Sequence, residues 1–168
     1  MRFLAILASL VCLTGNAAFF DNHDWEAAIW RSNVVVVGSS VSGATYVASV
    51  RLVQSTRGWV LDARMNDHIT GRFLLDTGAT SCVITPLMAG RLGLFPPTRH
   101  IEVDTAAGTV RAGVVRLQSV AVGVQRADEI QALVLDAVED DLDGVIGLNF
   151  LDQFTYSIDP RRGMLELR

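Results

Sequence analysis

From residue 44 onward the sequence alternates. Tyr46, Ala48, Val50 and Leu52 stand at every second place with smaller or polar residues between them, the period that gives a strand one apolar face. Ser55-Thr56-Arg57-Gly58 is a hairpin signal, residues 59–65 pair back, Asn66-Asp67 makes the next turn, and residues 70–75 run into Asp76. Further strands are expected at 114–117, 120–124 and 130–135, and a terminal hairpin turns about Pro160-Arg161-Arg162-Gly163. One short helix interrupts them, with Thr85 as cap, Pro86 at its first position and Gly93 closing it. Pro96-Pro97 then forces an extended exit. The fold class is mainly β.

The strand of residues 70–75 ends in a chemically loaded turn, Phe73-Leu74-Leu75-Asp76-Thr77-Gly78-Ala79-Thr80-Ser81. An apolar strand closing on Asp-Thr-Gly holds one carboxylate at its end, within reach of backbone N–H and hydroxyl donors. Alone, the three residues stand equally well for an ordinary Asx turn. A second stretch, Asp143-Gly144-Val145-Ile146-Gly147-Leu148-Asn149-Phe150-Leu151, changes the balance, with Gly147 lying 71 residues beyond Asp76. The pairing of a hydrophobic-Asp-Thr-Gly-Ala-Thr run with a later hydrophobic-hydrophobic-Gly resembles the retropepsin-like aspartic proteases, and the resemblance spans roughly residues 45–168.

That resemblance implies a closed β-barrel equivalent to one pepsin-type lobe. Asp76 would be the catalytic acid, Thr77, Gly78 and Ala79 would support its turn, Val145-Ile146-Gly147 would pack behind it in a strand-crossing loop, and residues 150–154 would be the short helix after that loop. Ala106-Ala107-Gly108, small residues between Glu102-Val103-Asp104-Thr105 and Thr109-Val110-Arg111-Ala112, look like the tip of the family's flap. Small tip residues suit close approach to a peptide and an opening motion. Without the flanking motifs the same segment reads as an ordinary hairpin.

Metal-free peptide hydrolysis needs one group to deprotonate water and another to protonate the carbonyl oxygen. A single Asp-Thr-Gly supplies half of that pair, so two copies have to meet: a homodimer with Asp76 facing its twin across a two-fold axis. Carboxylates about 3 Å apart cannot both ionise, the behaviour for which aspartic-protease dyads are themselves known. The substrate implied is a peptide or protein, with no cofactor and no metal.

Alternatives remain for several residues. Asp143 beside the second motif is a tempting partner for Asp76, yet Asp143-Gly144 lacks a following Thr-Gly and reads as the start of the crossing loop. Cys82 reads as a small buried hydrophobe. His23, His68 and His100 show neither a Cys-protease motif nor metal-ligand spacing. Acids at 136, 139, 140, 141 and 143 mark a solvated loop. A second function class is a non-catalytic envelope module for dimerisation or peptide binding on the same barrel.

The N-terminus reads as an export signal: Arg2, an apolar run over residues 3–13, then small residues allowing cleavage after Ala17 or Ala18. The alternative is an inner-membrane anchor, although a spanning helix needs roughly 20 apolar residues. The expected division is 1–18 signal peptide, 19–43 extension or linker, and 44–168 protease domain, exported to the periplasm or secreted. The extension holds a helical stretch over 20–31, a strand at 34–37 and punctuation at 38–43. With 14 basic residues, all Arg, against 18 acidic and no basic cluster, nucleic acid is not an expected partner. A membrane is expected only if the N-terminal segment is retained. The sparse flap tip and the extension are departures from the family pattern that bear on specificity.

Overall fold

Burial along the chain follows the period of two. The strand Ile69–Leu75 buries Gly71, Phe73 and Leu75 and leaves Thr70 and Arg72 exposed. A computed structural model describes residues 34–37, 47–105, 108–136 and 141–168. The expected leader, the helical stretch in 20–31 and the punctuation at 38–43 lie outside them. Among the described residues the strands are β1 (Val34–Val37), β2 (Val47–Arg51), β3 (Val53–Gln54), β4 (Trp59–Met65), β5 (Ile69–Leu75), β6 (Cys82–Ile84), β7 (Arg99–Thr105), β8 (Gly108–Val122), β9 (Gln125–Val134), β10 (Gly144–Ile146), β11 (Tyr156–Asp159) and β12 (Met164–Leu167). Two short helices, α1 (Pro86–Arg91) and α2 (Leu148–Leu151), complete the set.

Six strands close a barrel in the order β4-β5-β10-β6-β9-β8, and β8 returns to β4 through Arg64↔Ala121 and Met65↔Val120. Closure satisfies the backbone groups that an open sheet would leave on its edges. β3 continues the sheet outside β4, and β7 does so outside β8. A second sheet, β1-β2-β12-β11, adds the fully buried Ala48, Leu165 and Leu167 to the same core that holds Phe73, Ile84, Leu117, Ile146 and Phe150. Burying each such large side chain contributes roughly 1.5–3 kcal/mol. The 34–37 strand expected from sequence is present and pairs antiparallel with β2.

Turn chemistry closes the far end of the barrel. Asn66 and Asp67 adopt φ of 49° and 62°, the left-handed pair that a tight hairpin demands. The Asn66 side-chain oxygen accepts from Gln118 N–H at 2.8 Å, and Asn66 N–H donates to Ser119 O at 2.9 Å, tying the β4–β5 turn to β8. Arg126 grips Asp67 with Nε at 3.1 Å and Nη2 at 2.9 Å. Those hydrogen bonds hold the Asp67 carboxyl below its ordinary range. Helix α1 starts as expected: Thr85 Oγ1 accepts from Met88 N–H at 3.1 Å, Pro86 stands in the first turn, and Gly93 leaves it at φ +70°.

The sequence expectation fails in three places. Residues 59–65 pair chiefly with β5, not back onto 44–52. Only Val53↔Val60 and Gln54↔Trp59 form, because at the buried Leu52 the chain crosses from the second sheet into the barrel. The strands expected at 114–117 and 120–124 are one strand, β8, and Gly123 with φ +62° makes the turn into β9. The helix after the crossing loop is Leu148–Leu151 rather than 150–154, since it begins directly on Gly147.

Candidate active site

Strand β5 stops at Leu75 because the next residues turn back on themselves. Gly78 N–H donates to Asp76 Oδ1 at 2.8 Å, and Ala79 N–H donates to the Asp76 carbonyl at 3.3 Å. One carboxylate oxygen is therefore held by the turn, leaving the other for a ligand. Asp76 is half-buried while Thr77 and Gly78 are exposed, so the turn presents a surface rather than a closed pocket. Of the three expected supports, Gly78 and Ala79 act through their amides. Among the described residues the Thr77 hydroxyl makes no hydrogen bond to Asp76, because it stands in the exposed part of the turn.

The second motif lies against the back of this turn. β10 is inserted between β5, parallel to it with Val145↔Leu74 and Ile146↔Leu75, and β6, antiparallel with Val145↔Val83. Asp76 N–H donates to Ile146 O at 3.1 Å and Leu148 N–H to Ala79 O at 2.8 Å, so each motif completes the other's backbone bonding. Gly147 is required by contact. A Cβ there would stand 2.6 Å from Ser81 O and 2.8 Å from Ala79 O, both immovable backbone atoms.

Asn149 has a part that sequence reasoning did not assign. Its Oδ1 accepts from Cys82 N–H at 2.8 Å and its Nδ2 donates to Gln131 O at 2.8 Å, while its own N–H donates to Thr80 O at 3.2 Å. One amide thus pins the exit of the Asp76 turn to β9. The only signal for it in sequence is a polar residue inside an otherwise apolar run. Asp143 likewise turns out to be bonded to β5 and α1 rather than to Asp76.

Cys82 is buried, and burial pushes its thiol up to about 11; a neutral buried thiol is a poor nucleophile. His68 bonds through its ring to the Asn66 carbonyl, His100 is exposed, and His23 lies outside the described residues. Among the described residues no three His, Cys, Asp or Glu side chains gather at metal-ligand distances, and no helix is long and apolar enough to cross a membrane.

The expected flap is the β7–β8 hairpin. Thr105 pairs with Gly108, Thr105 Oγ1 donates to Gly108 O at 2.8 Å, and Thr109 Oγ1 donates to Asp104 Oδ1 at 2.7 Å. Gly108 has φ +114°; Ala106 and Ala107 lie outside the described residues. Ile101, Val103 and Val110 are half-buried on one face, whereas Glu102, Asp104 and Arg111 are exposed on the other.

The sequence profile described as aspartyl protease matches residues 61–150, a span that holds the Asp76 turn and the Gly147 crossing together. The chain belongs to the aspartyl protease family. Among solved structures it is similar to a retropepsin-like aspartic protease from Rickettsia conorii, at 25% identity over 76% of this chain and 96% of that one, with a TM-score of 0.57. No curated protein matches it. The six-stranded barrel with its inserted β10 is the retropepsin-like fold.

Proposed function

We propose that this aspartyl protease is an endopeptidase that works as a homodimer, with Asp76 of each subunit forming one catalytic pair. The observation that carries the proposal is the single Asp-Thr-Gly turn, whose carboxylate has one oxygen tied to Gly78 N–H and whose Thr77-Gly78 face is left open to solvent. A second copy supplies the missing carboxyl. The pair then shares one proton, since adjacent carboxylates cannot both ionise. The ionised member takes a proton from water as it attacks the scissile carbonyl carbon, and the protonated member gives its proton to the carbonyl oxygen. In the collapse of the resulting diol the protonated member gives its proton to the departing amine nitrogen while the ionised member takes one from a diol hydroxyl, so the C–N bond breaks, the carboxylic acid forms and the pair is left singly protonated. The β7–β8 hairpin is the element suited to cover a bound peptide. Gly78 and Ala79 keep the turn in shape through their amides, and Val145, Ile146 and Gly147 support it from behind.

The export signal read in residues 1–18 supports a mature protein outside the cytoplasm, periplasmic or secreted, or held at the inner membrane if the N-terminal segment stays. Its partners are a twin subunit and a peptide or protein substrate, not nucleic acid.

Cleavage of a mixed peptide pool across about pH 4 to 7, with mass measured in solution, tests the proposal. Wild type is expected to cleave on the acid side of neutrality and only at concentrations where the dimer exists. Asp76→Asn is expected to lose at least about 10²-fold of that rate. An unchanged rate in Asp76→Asn ends the proposal, and a stable dimer that cleaves nothing favours a peptide-binding role.

A further inference from the structure

Asp143 holds β5 with two different groups. Its N–H donates to Arg72 O at 2.7 Å, and its carboxylate Oδ2 accepts from Arg72 N–H at 2.9 Å. Both backbone groups of Arg72 are thereby committed to one residue. The Asp143 carbonyl meanwhile accepts from Thr85 N–H, the helix-capping residue, at 2.9 Å, and Arg91 Nη1 of α1 lies 3.4 Å from its other carboxylate oxygen. Three segments converge on this residue: the strand that delivers Asp76, the strand that delivers Gly147, and α1, through its cap Thr85 on the carbonyl and its last residue Arg91 on the carboxylate.

Space for the carboxylate is reserved by Gly71. A Cβ at that position would stand 2.6 Å from Asp143 Oδ2 and 2.6 Å from Met88 Cε. Directly after the clamp the parallel pairing begins with Gly144↔Phe73 and runs for three pairs to Ile146↔Leu75. It ends on the bond from Asp76 N–H to Ile146 O. So short a ladder has few bonds of its own with which to choose a register, and a slip of one residue would turn its side chains to the wrong face.

We propose that Asp143 is a positioning residue: its two-bond clamp on Arg72 sets the register of β10 on β5, and through it the placement of the Asp76 turn against Gly147. This inference rests on the reading of Asp76 as half of the catalytic pair. Arg72 lies four positions before Asp76, about 13 Å of extended strand, so Asp143 acts through the two strands and touches no substrate. The geometry of a shared-proton pair depends on the spacing of its carboxyls, so the effect belongs to the chemical step more than to substrate binding.

The test compares the full chain with Asp143→Ala, Asp143→Glu and Asp143→Asn. Three quantities are read: kcat and KM per folded dimer, the pH–rate profile, and amide hydrogen exchange at Asp76 relative to amides of the β8–β9 pair. Asn keeps an oxygen for Arg72 N–H and is expected to retain most of the activity. Ala removes the carboxylate half of the clamp and leaves the backbone N–H bond to Arg72 O, and is expected to lower kcat on the order of 10²-fold with little change in KM. It should also move the acid limb of the pH profile and lose exchange protection at Asp76 but not in β8–β9. Glu keeps the charge and displaces the oxygen by one methylene, and carries the same expectation if Ala does not fold. Unchanged kcat, pH profile and Asp76 protection in a folded Ala or Glu variant overturn the proposal, as does an Asn variant as damaged as Ala. If wild type cleaves nothing, the functional reading fails separately, and exchange at Asp76 still decides whether Asp143 sets the register.

Discussion

Asn149→Ala tests the coupling between the crossing loop and the Asp76 turn. The amide accepts from Cys82 N–H at 2.8 Å and donates to Gln131 O at 2.8 Å. Cys82 is 1% exposed, so water cannot replace the lost acceptor without opening the core. A stranded buried N–H costs about 1–3 kcal/mol, and the second, more exposed bond adds roughly 0.5–1 kcal/mol. The sum is about 1.5–4 kcal/mol, or a fall in Tm of about 10 °C for a domain of this size. The assay is thermal unfolding at one fixed protein concentration, because association makes Tm depend on concentration. Asn149→Asp is the informative companion. It keeps the oxygen for Cys82 N–H but turns a carboxylate oxygen toward the Gln131 carbonyl, so it should still be destabilised. A Tm within about 2 °C of wild type for Asn149→Ala would show instead that the buried Cys82 N–H needs no partner.

Gly147→Ala forces a methyl to within 2.6 Å of Ser81 O and 2.8 Å of Ala79 O. It should cost about 1–3 kcal/mol or more, read as a lower midpoint in urea, and should reduce cleavage by displacing the turn. The Cys82 thiol, raised by burial to about 11 from an ordinary 9.0, should resist alkylation in native protein at about pH 8 and react fully in denaturant. Its sign in stability follows: the unfolded thiol ionises near 9.0 while the folded one stays neutral to about 11. Stability should therefore be flat below that window and fall as pH rises through it, measurable as the urea midpoint between about pH 8 and 11.

Much of the molecule is legible along the chain because its signals are local. The alternation that buries Phe73 and Leu75, the left-handed turn at Asn66-Asp67 and the capping of α1 by Thr85 each depend on a few neighbouring residues. Pairing is not local, and no single segment announces its partner. Alternation in residues 46–52 shows which face is apolar but not that β2 meets β12 and β1 while only β3 meets β4. Gln118 and Ser119 give no sign that one continuous strand carries them past the Asn66 amide.

The chemistry of the site divides in the same way. Residue order alone settled that one Asp-Thr-Gly turn closes an apolar strand and that an apolar pair and a glycine follow 71 residues later, because covalent neighbours make that turn. Only the tertiary structure placed Ile146 O on Asp76 N–H, Asn149 between Cys82 and Gln131, and Asp143 on Arg72. Those bonds join residues far apart in the chain, and their partners are chosen by how the strands close into a barrel, a property that no single segment carries.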